Sequence, residues 1–134
     1  MAASLDVVQS LYAAFARNDL PGILASLHPK IDWKYHGPPA IPFAGHHHGH
    51  DEMRGFFQKV AESAEIHAFE ARETIERGDT VVVYGWERCT SRATGKSWSC
   101  DWVHLWTVEG GQIVRLREFY DTYPKACAFL GRDP

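Results

Sequence analysis

Residues 97–122 read SWSCDWVHLWTVEGGQIVRLREFYDT, and this stretch decides the fold. Two runs of period two flank a Gly110-Gly111 pair, the pattern of an antiparallel hairpin. On the first run Trp98, Cys100, Trp102, His104 and Trp106 share one face, with Asp101, Val103 and Leu105 on the other. On the second, Val114, Leu116, Glu118 and Tyr120 alternate with Ile113, Arg115, Arg117, Phe119 and Asp121. A two-residue turn pairs Val103 with Glu118, Asp101 with Tyr120 and His104 with Arg117.

That register predicts two unlike faces. Val103, Leu105, Val114 and Leu116, followed by Asp101, Glu118 and Tyr120, make an apolar wall with a polar end, expected to line a pocket. Carboxylates in such a place suit a general acid or base. The opposite face combines Trp98, Trp102, Trp106, His104, Arg115, Arg117 and Phe119. Aromatics interleaved with arginine are typical of an interface core, which predicts a homodimer through Trp102, Trp106, Arg115 and Arg117. One alternative register stays open. A three-residue turn with a bulge would pair His104 directly with Glu118 and bring both to one face. Simple alternation separates them and favours Glu118 as the pocket residue.

Working outward, the period stays two back to Ile66. Strands are expected at about 66–77, 80–91, 96–108 and 112–121, punctuated by Gly78-Asp79 and Thr94-Gly95. Upstream the period is helical. Leu5, Val8, Leu11, Tyr12 and Phe15 form one stripe, Asn18-Asp19 caps a second short helix before Pro29, and 52–63 bury Met53, Phe56, Phe57 and Val60. Ile31, Trp33 and Tyr35 share one face of a short strand, and 37–49 read as an irregular loop. A last helical turn or two is expected near Pro124 to Leu130. Helices followed by a meander give an α+β fold, a cone-shaped curved antiparallel sheet with the N-terminal helices on its concave face. The whole chain, 1–134, reads as one domain. Such a cone leaves an apolar hole at its open end.

The composition excludes several classes. A formal net charge of −3 speaks against nucleic acid, which needs a basic face. No run is long enough to cross a membrane, and the first residues lack a signal pattern, so a cytoplasmic location is expected. The three cysteines, Cys89, Cys100 and Cys127, have no metal-type spacing and read as reduced thiols. Cys100 is a strand cysteine before it is a nucleophile.

The strings Leu11-Tyr12-Ala13-Ala14-Phe15, Asn18-Asp19, His28-Pro29, Gly37-Pro38-Pro39, Arg54-Gly55-Phe56-Phe57 and Arg117-Glu118-Phe119-Tyr120-Asp121 resemble the nuclear-transport-factor-2-like (cystatin-like) superfamily, in its SnoaL-like and ketosteroid-isomerase-like branches. The resemblance covers nearly the whole chain and implies fold more strongly than function, because this fold hosts many activities. Val103-His104-Leu105 is similar to a strand of SnoaL-type polyketide cyclases, with Glu118 where they carry an Asp base, and His28 resembles a histidine they place near the pocket. Limonene-epoxide-hydrolase-like enzymes are similar at Thr94-Gly95-Lys96-Ser97 and at Arg117 to Asp121, where Asp121 would activate water. Their Arg and second acid fall near Gly85 and Glu87, and their Tyr and Asn near Trp33 and Tyr35, so that constellation is incomplete. The two ketosteroid isomerase acids fall near Tyr35 and Val103, and both are absent.

The catalytic candidates are therefore Glu118, His104, Asp121 and Asp101. Tyr12, Trp33, Tyr35, His36, Phe56, Val103, Leu116 and Tyr120 are the expected ligand-lining residues. The expected partner is a mid-sized, apolar, carbonyl-bearing small molecule. Glu118 would remove a proton alpha to the carbonyl, and Tyr35, Tyr120 or His104 would donate to the enolate oxygen. That chemistry calls for neither metal nor organic cofactor. A ligand-binding module without turnover is the rival expectation. The run His46-His47-His48-Gly49-His50 reads as a loop at the pocket mouth that could pick up zinc or nickel adventitiously.

Overall fold

The computed structural model describes residues 3–134. Val7, Val8, Leu11 and Ala14 form the buried stripe of α1 (Ser4–Ala16). Asn18 at φ 55° turns the chain, and the Asp19 side chain accepts the Gly22 N–H to cap α2 (Leu20–Ala25). The expected strand at Ile31–Tyr35 is longer, β1 (Leu27–His36), and Pro29 lies within it rather than merely ending the helix. The 37–49 region contains a short edge strand, β2 (Gly45–His48), where a loop was expected. Helix α3 (Gly49–Ser63) follows, then β3 (Ala64–Arg77), β4 (Thr80–Ser91), β5 (Ser97–Glu109), β6 (Gln112–Tyr120) and α4 (Thr122–Phe129).

The six strands of the described residues form one sheet in the order β2-β1-β6-β5-β4-β3. All pairs are antiparallel except β1 with β6, which run parallel, so the sheet is mixed where a pure meander was expected. The parallel pair is what brings the first strand beside the last and sets Trp33 next to Leu116 and Tyr35 next to Glu118. The helices cover the concave face and bury it in a core that runs from Val8 and Leu11 through Ile31, Trp33 and Met53 to Trp106 and Leu116.

The β5–β6 register pairs His104 with Glu118 as the alternative does, but through a two-residue turn and a bulge within β6 rather than a three-residue turn. Gly110 and Gly111 both have positive φ, 58° and 77°, as a tight hairpin turn of the primed kind requires. Glu109 pairs with Gln112 and Val108 with Ile113, but Thr107 then pairs with Arg115, so Val114 is an extra residue in β6. Beyond this bulge Trp106 faces Leu116, His104 faces Glu118 and Trp102 faces Tyr120. One slipped residue exchanges the partner of every side chain that follows.

The faces assigned to β6 from the sequence hold from Arg115 onward, whereas Ile113, expected outside, is buried in the core and Val114 is the half-buried bulge; those assigned to β5 are inverted. Trp98, Cys100, Trp102, His104 and Trp106 are all buried, and point into the molecule with Leu116, Glu118 and Tyr120. Trp102 and Trp106 are 1% and 0% exposed within a single chain, so they offer nothing to a second subunit. Gly85 explains how Trp102 fits. Trp102 lies across it on the neighbouring strand, and a Cβ there would sit 2.1 Å from the indole ring and 2.4 Å from the Glu70 carbonyl oxygen.

Candidate active site

The inner face of the sheet, roofed by α1 and α3, encloses a cavity of about 60 Å³. Its apolar lining includes Leu11, Phe15, Phe43, Phe56, Phe57 and Trp106. Beyond Phe15, Phe57, Val60 and Phe69 it meets a wider groove between α1, α3 and β3, with Arg54, Gln58 and Arg92 along it.

One polar cluster centres on Glu118 and His104, whose side chains are 5% and 4% exposed. His104 Nε2 lies 3.3 Å from Glu118 Oε1, the pairing that the bulge creates. Glu118 Oε2 accepts the Trp33 indole N–H at 2.7 Å. Tyr120 donates to Glu118 Oε1 at 3.4 Å and also lies 3.1 Å from His104 Nε2. On the far side of the imidazole, the Tyr12 hydroxyl meets Nδ1 at 2.7 Å. That hydroxyl also accepts the Trp106 indole N–H at 3.1 Å. His104 thus links the Tyr12 hydroxyl on one side to Glu118 and Tyr120 on the other. Burial holds the Tyr12 and Tyr120 hydroxyls well above their ordinary pKa, with the Glu118 charge adding to it, so both stay protonated as donors.

A second cluster occupies the same cavity. Glu87 on β4 and Lys125 on α4 are 3% exposed each and pair at 2.9 Å. Glu87 Oε2 also accepts the Trp98 indole N–H at 2.8 Å, and the Cys100 thiol points to it at 3.6 Å. The Lys125 ammonium sits 4.2 Å from the Tyr120 ring centre, with the rings of Tyr35, Phe43 and Trp98 between 5.0 and 5.4 Å away. Such a cage favours a cation where water does not reach it. Burial and then the Glu87 charge push the Cys89 thiol up to about 12 and raise Cys100 as well, so neither serves as a thiolate nucleophile. Between the clusters, Tyr35 stacks on Tyr120 at 4.7 Å, and its buried hydroxyl has no hydrogen-bond partner among the described residues.

The residues expected from the sequence divide cleanly. Glu118, His104, Tyr12, Trp33, Tyr35, Phe56 and Tyr120 line the cavity. Leu116 is buried in the core beneath it, away from the lining. Asp101, Val103, His36 and Asp121 are corrections. Asp101 is exposed on the outer face and accepts the Tyr84 hydroxyl at 2.7 Å. Val103 shares that face, and His36 stacks outside on Phe119 at 4.2 Å. Asp121 is exposed just before α4, which removes the water-activating acid from the hydrolase alternative. His28 is not a lining residue either, and its Nδ1 accepts the Lys30 N–H.

Lys125 escaped sequence reasoning, and Glu87 was noticed only as a position in an incomplete hydrolase pattern. Lys125 carries no signal in a one-turn context. Glu87 has one, since it occupies the buried phase of a strand whose neighbours in that phase are Val81, Val83, Gly85 and Cys89.

The SnoaL-like domain family matches residues 8–116, and the chain belongs to that family. An uncharacterised protein of Mycobacterium tuberculosis is 32% identical over 119 residues, 88% of each chain. Among solved structures, an NTF2-like protein of Burkholderia xenovorans superposes with a TM-score of 0.86 at 32% identity, over 94% of this chain and 95% of the other. TerC, co-crystallised with polyporic acid, superposes at 0.82 with 28% identity, over 96% and 99%.

Proposed function

We propose that this domain binds an apolar, carbonyl-bearing small molecule across its cavity and the wider groove that the cavity meets, and moves a proton on it, as a cofactor-independent isomerase or cyclase does. The observation that carries this reading is the buried Glu118–His104 pair at 3.3 Å, set in an otherwise aromatic lining. Glu118 takes the proton alpha to the carbonyl. The electron pair moves onto the carbonyl oxygen, and the unpartnered Tyr35 hydroxyl donates to it. Glu118 then returns the proton at a second carbon, with Trp33 and His104 holding its carboxylate throughout. The co-crystallisation of TerC with polyporic acid supports an aromatic, oxygen-bearing ligand for this cavity.

The test separates chemistry from binding. Polyporic acid is titrated against tryptophan fluorescence, and uptake of solvent deuterium at the α-carbon of an aryl cyclic ketone is followed by NMR. Glu118→Gln is expected to slow exchange by about 10²–10⁴-fold, the usual worth of a positioned base, with affinity nearly kept. Equal exchange in both proteins would leave a binding module without turnover.

The same reading retains a homodimer but relocates it. Val103, Leu105, Arg115 and Phe119, the last 44% exposed, lie on the outer face of β5 and β6. Light scattering showing a monomer would remove this part.

A further inference from the structure

We propose that Asp32, His46 and His48 form a binding site for a divalent transition metal of the zinc class, on the outer face of β1 and β2. The histidine run looks uniform in sequence, and strand geometry divides it. Antiparallel pairing sets Asp32 opposite His48 and Lys34 opposite His46. Alternation along β2 then puts His46 and His48 on one face and His47 on the other. His47 Nε2 is engaged by the Phe43 carbonyl oxygen at 3.1 Å, and its ring meets Phe56 edge-on. His50 Nε2 is engaged by the Leu27 carbonyl oxygen at 2.9 Å. Two of the four imidazoles are therefore spent on the backbone.

The other two converge. Their ring centres are 4.2 Å apart, the Asp32 carboxylate meets His46 Nε2, and the three donor atoms lie within 4.8 Å of one another. Ligands of one tetrahedral zinc sit ~3.4 Å apart at the usual bond lengths, so small rotations of the exposed His46 and His48 side chains toward Asp32 bring the three donors to that spacing. Arg117 fixes the carboxylate from behind, donating to Oδ2 at 3.0 Å and to Oδ1 at 3.2 Å. Glu52 accepts the His48 backbone N–H at 2.9 Å, which anchors the end of β2. Outer contacts of this kind orient metal ligands. Two imidazoles and one carboxylate suit zinc, nickel or copper, whereas magnesium and calcium require oxygen ligands. Lys34 and Arg117 add positive charge nearby, which further disfavours an ion held by charge alone. The site depends neither on turnover nor on the dimer.

The experiment is calorimetric titration of the untagged, metal-stripped chain with zinc chloride, with magnesium chloride as comparison. One zinc per chain and no magnesium heat are expected, with a zinc-dependent rise in Tm. His46→Ala, His48→Ala and Asp32→Asn should each weaken zinc by about tenfold or more, whereas His47→Ala and His50→Ala change it by less than about twofold. Metal-free Tm values identify any variant that fails to fold. Absence of zinc binding, retention of binding in the His46→Ala/His48→Ala double variant, or equal losses at His47 and His50 would each overturn the site.

Discussion

Glu118 and Glu87 each accept an indole N–H inside one cavity, from Trp33 at 2.7 Å and from Trp98 at 2.8 Å. Their other partners differ. Glu118 meets an imidazole whose second nitrogen is tied to a tyrosine hydroxyl, so a proton has a relay of groups to move along. Glu87 meets an ammonium enclosed by aromatic rings, and a fixed charge pair is what such an arrangement supplies. The same carboxylate-and-indole unit thus serves exchange in one place and a standing field in the other. The partner, more than the acid, sets the role.

The hardest test of that contrast is Lys125→Met. It leaves the Glu87 carboxylate buried without its counter-charge, and a loss of about 3–5 kcal/mol is expected from urea unfolding. Adding Glu87→Gln to it should recover much of the loss. If the single variant is as stable as the parent, Glu87 is not a fixed charge and the contrast collapses.

Tyr12→Phe probes the other end. It strands the Trp106 N–H and releases His104 Nδ1, so about 1–3 kcal/mol is expected, together with slower proton exchange. A stability loss without any change in exchange would make Tyr12 a packing group only.

Alkali should act first at the Glu87 end. The Cys89 thiol rises from an ordinary 9.0 to about 12 in the folded chain. Between those values the folded chain keeps a proton that the unfolded chain has lost, so stability is full below pH 9 and falls as pH rises. Cys89 alone accounts for on the order of 1 kcal/mol between pH 8 and pH 10. Denaturation midpoints of the parent and of Cys89→Ala, compared at both values, should differ in slope. Parallel curves would show that Cys89 ionises as freely folded as unfolded.

The smallest effect is expected where the two clusters meet. Tyr35→Phe removes a buried hydroxyl that has no partner, so stability should hold or rise by up to about 1 kcal/mol while affinity for a carbonyl ligand falls. A clear destabilisation would mean that the hydroxyl is already satisfied.

Most of the fold was legible because periodicity is a local property. The change from helical spacing to alternation at Ile66 marks the start of the four long strands, whose ends lie within two residues of expectation. β2 was not legible. Four residues rich in histidine carry no hydrophobic alternation, and only pairing with β1 makes them a strand. Glu118 was identified because the phase read for β6 holds beyond the Val114 bulge. His104 was placed outside because the bulge at Val114 leaves no mark in composition, and alternation counted from the glycine turn passes straight through it. Trp102 and Trp106 misled for a related reason. Large aromatics suit a core as well as an interface, and what decides between them here is the absence of a side chain at Gly85, one strand away.

The Val114 bulge also sets the unit in which this hairpin can be exchanged. A replacement tip cut at Glu109 and Gln112 inherits the offset intact, whereas one that carries β6 from a regular hairpin brings a strand shorter by one residue. Every later position of β6 would then be out of step with its neighbours, and no substitution at Glu118 or His104 could make good the missing residue. The transplantable module runs from Thr107 to Arg115, and its length matters before its letters do.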